Sequence, residues 1–142
     1  MEKLRETVRK VNHYSTLVPD KPGAAFNVLA TLVSAGINLL ACSGSPKGRR
    51  AQIDVVPDDT RKFVVAAKKA RLSFVENRSG FLLQGEGDRP GVLASKLKVL
   101  ADQGINVTGV DALSIGDTWG AILWVDAADV GRAGKHLRAS VK

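Results

Sequence analysis

The chain has 142 residues, 44% hydrophobic and 25% charged, with a formal net charge of +7. That balance suits a soluble globular protein long enough for one ordinary domain or two small ones, and it argues against a disordered chain. No apolar run reaches the roughly 18–20 residues of a membrane span, and the charged start MEKLRETVRK lacks the apolar stretch of a secretory signal, so the cytoplasm is the expected compartment.

The first ten residues fit either a short amphipathic helix or an extension of the strand that follows. His13 to Val18 reads as that strand, ending at a turn. Asp20-Lys21-Pro22-Gly23 then opens a helix: proline at the first helical position supplies a fixed φ and lacks only an N–H that has no intrahelical partner there, while Asp20 can accept from exposed amides. Ala25, Leu29 and Leu32 recur at helical spacing and predict one buried stripe. Gly36 sits where a left-handed C-terminal cap belongs. Strands are expected at Ile37 to Ala41 and Ala51 to Val56, then a helix capped by Asp58 or Asp59 and running to about Ala70, then a short strand from Leu72 to Val75.

The same order returns 68 residues later. Phe81 to Gln84 is strand-like, Asp88-Arg89-Pro90-Gly91 opens a helix with Leu93, Leu97 and Leu100 at helical spacing, and Gly104-Ile105-Asn106 repeats Gly36-Ile37-Asn38. Over Asp20 to Asn38, 8 of 19 positions are identical in the second copy. Strands at Ile105 to Val110 and Gly120 to Val125 follow, with a last helix from Asp126 or Asp129 to about Arg138.

A β-α-β-β-α unit used twice is the ferredoxin-like split βαβ pattern, an α+β fold whose helices cover one face of an antiparallel sheet. The expected units are residues 1–76, with 1–11 as an N-terminal extension, and 77–142. Only Ala139 to Lys142 remain after the last helix. The second sheet is therefore expected to lack its own fourth strand and to need cover from the other unit, another chain or the N-terminal segment.

Strand, D-x-P-G, helix, G-I-N, strand, hairpin and helix, used twice, resembles the ACT family of small-molecule-binding regulatory domains over about residues 12–139. The hairpin Gly44-Ser45-Pro46-Lys47-Gly48-Arg49-Arg50-Ala51-Gln52 is similar to that of tandem ACT proteins of bacteria. The resemblance implies two ACT units in a homodimer, binding an amino acid or related metabolite between units and signalling to a separate protein target. It implies a ligand near the first strand-to-helix loop of one unit and the helix-to-strand region of another. The matching positions are Asp20, Lys21, Pro22, Gly23, Gly36, Ile37 and Asn38, and Asp88, Arg89, Pro90, Gly91, Gly104, Ile105 and Asn106. A helix N-terminus suits a carboxylate, and glycine allows close approach of backbone to ligand.

The positive excess sits in the first half, where residues 1–72 hold 13 Lys and Arg against 6 Asp and Glu, while residues 73–142 hold 8 of each. Lys47, Arg49 and Arg50 are candidate anion contacts in a glycine-containing hairpin, with a solvated turn as the plainer role. The rival to a metabolite sensor is a basic interaction module, in which Arg61, Lys62, Lys68, Lys69 and Arg71 dock an acidic protein or nucleic acid. Nucleic acid is the weaker of these partners, since Trp119 and Trp124 lie away from the cations and suit packing. Cys42, the single cysteine, reads as a small buried residue, and it excludes an intrachain disulfide. His13 and His136 stand at no metal-ligand spacing, and Gly85-Glu86-Gly87 lacks the third glycine of a dinucleotide loop. No catalytic pair, metal set or cofactor is expected.

Overall fold

The computed structural model describes residues 6–87 and 89–140. In chain order the elements are β1 (Thr7–Pro19), α1 (Ala24–Ser34), β2 (Leu39–Lys47), β3 (Arg50–Pro57), α2 (Thr60–Lys69), β4 (Val75–Glu86), α3 (Arg89–Asp102), β5 (Val107–Ile115), β6 (Thr118–Val125), a 3-10 turn (Ala127–Asp129) and α4 (Val130–Leu137). The chain is α+β and divides into two compact units. One is Asn12–Asn77; the other takes in the segment ending at Val11 together with the chain from Arg78 onward. The expected extension of the first unit thus groups with the second. It is strand from Thr7, while residues 1–5 lie outside the described residues.

In the Asn12–Asn77 unit the strand order is β2-β3-β1-β4. β1 pairs antiparallel with β3 in the register Tyr14 to Val55 and Val18 to Ala51, and β2 pairs with β3 from Leu39 opposite Pro57 to Lys47 opposite Arg50. Period-2 alternation turns Tyr14, Val18, Ile53 and Val55 toward the helices. The buried stripe of α1 is Ala24, Val28 and Leu32, one i+4 row. The expected row through Ala25 and Leu29 is one position off: Ala25 is exposed and Leu29 half-buried. Phe63 on α2 fills the centre, its ring 4.9 Å from that of Tyr14 and 5.1 Å from that of Phe74. Asp59 caps α2, accepting from the Lys62 amide at 3.0 Å.

β4, Val75–Glu86, takes in the strand expected at Phe81 to Gln84, but of the one expected at Leu72 to Val75 only Val75 is strand. Gly80 sits inside this strand, where the backbone runs so close to the Trp124 ring that an added Cβ would overlap it. In the unit from Arg78 the strand order is β1-β4-β6-β5, so β1 occupies the place of the fourth strand. Ser140 adds a parallel bridge to Arg9, with its N–H donating to the Val8 carbonyl and its carbonyl accepting from the Lys10 N–H, both at 2.9 Å. Lys96 on α3 pairs with Glu6 at 3.0 Å. Phe81, Leu83, Trp119, Leu123, Leu100 and Leu137 form the core against α3 and α4. Burying side chains of this size contributes about 1.5–3 kcal/mol each before entropy is subtracted.

Candidate ligand site

The first D-x-P-G is a turn in front of a helix, not the start of one. Lys21 to Ala24 form a type II β-turn: Pro22 stands at the second position, Gly23 at the third with φ 87° and ψ −14°, and the Ala24 N–H donates to the Lys21 carbonyl at 3.3 Å. Only glycine takes that left-handed φ without cost, and nothing lies within 4 Å of where its Cβ would stand. Asp20 does not cap, and α1 opens with no side-chain cap at all. Asp20, Lys21, Pro22 and Gly23 are all exposed.

The second copy takes a different backbone. Asp88 lies outside the described residues, but Arg89, Pro90 and Gly91 are already helical and Gly91 has no positive φ. Here the expected proline in the first helical turn is found, and the left-handed glycine is Gly87, at φ 80°. One four-residue motif thus makes a turn in one unit and a helix start in the other.

Gly36 and Gly104 both end helices in the left-handed region, at φ 73° and 70°. Each is followed by an isoleucine N–H that bonds back into the last turn, Ile37 to the Leu32 carbonyl and Ile105 to that of Leu100. Ile37 and Ile105 are core residues, so only the glycine and asparagine of each G-I-N face solvent. The Asn38 amide reaches Asp58 Oδ2 at 3.5 Å, while its carbonyl accepts from the Asp58 N–H at 2.9 Å.

Within a unit the two motifs stand at opposite ends of one helix. α1 has 11 residues and α3 has 14, separating turn from G-I-N by about 16 and 21 Å. Asp20 to Gly23 and Gly36 to Asn38 of one unit therefore do not meet, nor do Arg89 to Gly91 and Gly104 to Asn106.

Two cations close these helix ends, a role that the sequence marks for neither. Lys62 Nζ on α2 donates to the Gly36 carbonyl at 3.0 Å, and Arg132 Nη1 on α4 to the Gln103 carbonyl at 3.1 Å, each meeting the negative end of the helix dipole. Beside Lys62 an open groove of about 730 Å³ is lined by Ala35, Asp59, Arg61, Val65, Lys69 and neighbouring alanines. Lys47, Arg49 and Arg50 are exposed about a two-residue turn in which Gly48 takes φ 62°.

A polar cluster also surrounds Asp54: its Oδ1 accepts from Ser15 Oγ at 2.6 Å and Gln52 Nε2 at 2.7 Å, and His13 Nε2 lies 3.8 Å away. Cys42, expected to be buried, is exposed on edge strand β2, where no helix covers it. Partial burial, then the charge of Asp54, raise its thiol pKa, so it is a protonated thiol rather than a thiolate nucleophile at neutral pH. Among the described residues no three His, Cys, Asp or Glu side chains gather as a metal set, and no helix is long and apolar enough to cross a membrane.

The family model for the ACT domain matches residues 81–139, from the apolar half of β4 through α4. The match to the ACT model does not extend to Asn12–Asn77, where the strand-helix-strand-strand-helix order of residues 81–139 also occurs. Across the whole chain the fold is similar to that of protein BT0572 from Bacteroides thetaiotaomicron, 19% identical with TM-score 0.67 over 94% of this chain and 88% of that one. The ligand-free regulatory subunit of aspartate kinase from Thermus thermophilus is 16% identical, with TM-score 0.60 over 95% of this chain and 94% of that one. The corresponding subunit from Thermus flavus is 16% identical, with TM-score 0.58 and the same coverage. At these identities the likeness is one of fold. No curated protein matches the sequence.

Proposed function

We propose that this chain is a non-enzymatic regulatory protein of the cytoplasm that binds an amino acid or a related metabolite and acts in trans on a separate protein target. The observation that carries this reading is the turn whose Lys21, Pro22 and Gly23 are exposed and which leads into a helix with no side-chain cap. A helix start of this kind attracts a carboxylate through its unpaired amides and the positive end of its dipole. The ACT match and the fold shared with regulatory subunits of aspartate kinase support the same class of ligand. Because turn and G-I-N lie at opposite ends of a helix, a ligand that touches both draws them from two copies of the unit, and a homodimer supplies more than one such pairing.

The ligand-binding set in this reading is Asp20 to Gly23 with Gly36 and Asn38, and Asp88 to Gly91 with Gly104 and Asn106. Ile37 and Ile105 act by holding the glycine and asparagine in place. Binding would shift the balance between packings of the units, and that shift is the signal. Isothermal calorimetry with each of the twenty amino acids is the test: a saturable heat with one or a few of them supports the proposal, and silence with all twenty rejects it.

A further inference from the structure

The groove between α1 and α2 has the chemistry of a docking surface for another protein. Its lining comes from the end of α1 and one side of α2: Ala35, Val65, Ala66 and Ala70 make an apolar floor, and Arg61, Lys62 and Lys69 stand around it with Asp59. Val65 is 58% exposed and leaves apolar surface for a partner to cover. α1 has no charged residue over Ala24–Ser34 and leaves Val33, two residues before Ala35, 72% exposed. Arg61 and Lys69 form no ion pair among the described residues, while Asp59 is occupied in capping α2.

The occupant follows from these features. A small metabolite is disfavoured, because Asp59, Arg61, Lys62 and Lys69 are all exposed and no buried polar group converges to orient it. Single-stranded nucleic acid is disfavoured because the lining has no aromatic ring for a base to stack on, and a duplex offers no apolar face to the floor of Val65 and alanines. A second copy laid on the same face would set two linings of three cations and one carboxylate against each other, like charge on like. We infer that the groove receives an acidic amphipathic helix of a partner protein, its apolar side on Val65 and Ala66 and its carboxylates on Arg61 and Lys69. This rests on the groove alone and holds whether or not an amino acid binds elsewhere.

The test is fluorescence anisotropy of the full chain with a labelled helical peptide bearing leucine on one face and glutamate on the other, beside the same peptide with lysine for glutamate. The acidic peptide should bind saturably and more weakly as salt is added, and the lysine peptide should not bind. Arg61→Glu with Lys69→Glu should weaken the acidic peptide by roughly tenfold or more, and Val65→Ser by a few fold. All three side chains are exposed, so circular dichroism should show an unchanged fold. Equal affinity for the two peptides, indifference to both variants, or no saturable binding overturns the inference. So does duplex DNA bound as tightly as the peptide and lost in the charge-reversed variant, or self-association of the chain lost in that variant.

Discussion

Lys62 Nζ lies 3.0 Å from the Gly36 carbonyl, so a lysine on α2 closes the last turn of α1. Arg132 does the same for Gln103 at the end of α3. The two cations do not correspond in the repeat: 68 residues after Lys62 stands Val130, and 68 before Arg132 stands Val64. Both units have thus reached one electrostatic solution from different positions. Lys62→Met keeps the alkyl stem and removes the ammonium, and should cost about 0.5 kcal/mol, less as salt is raised. Urea denaturation of the variant at low and high ionic strength checks both points.

Gly23 and Gly91 are matched in sequence but not in backbone. Gly23→Ala places a side chain at φ 87° and should destabilise by about 1 kcal/mol even though the space beside it is open. Gly91→Ala lies in the first turn of α3 and should be neutral or stabilising by up to about 1 kcal/mol. Opposite signs in the two melting temperatures, separated by about 2–4 °C per kcal/mol, are the expected result.

That difference marks how far the sequence could be read. The duplication, the unit order and the left-handed caps at Gly36 and Gly104 were legible, because each rests on a short-range rule. D-x-P-G was not, because proline's fixed φ suits both the second position of a type II turn and the first turn of a helix, and the residues beyond it choose. The closeness of Gly80 to Trp124 comes from strand pairing across 44 residues of sequence, which no local pattern announces. The roles of Lys62 and Arg132 depend on packing between helices far apart in the chain, and the exposure of Cys42 depends on β2 being an edge. None of these leaves a local signal.

A Cβ at position 80 would overlap the Trp124 ring and crowd the Leu123 carbonyl. Gly80→Ala should therefore destabilise by about 2 kcal/mol or more, and Trp124→Leu should also destabilise on its own. The two changes act in one space, so the double variant should lose less than the sum of the singles. A double-mutant cycle by chemical denaturation measures that coupling, and strict additivity would show that the ring is not the obstacle.

Tyr14 is the only tyrosine in the chain, which makes its ionisation visible by near-ultraviolet titration. Burial first, then the charge of Glu76, raise its pKa above the usual 10.0. The neutral phenol is thus favoured in the folded state. Its contribution is fully present below the unfolded pKa and is lost as pH rises from there through the folded pKa, where the unfolded chain ionises first. Tyr14→Phe should therefore lose less stability above pH 10 than the native chain, and the phenol midpoint should fall when urea unfolds the protein.

The central claim is that one small ligand joins an exposed turn to a G-I-N end brought from another copy of the unit. Calorimetry with whichever amino acid gives heat should be run on Asp20→Ala, Asn38→Ala, Asp88→Ala and Asn106→Ala. The account predicts that one turn variant and one asparagine variant each weaken the same ligand by roughly tenfold, the size expected for losing a charge-assisted contact, with the fold intact. Native affinity in all four variants would contradict it.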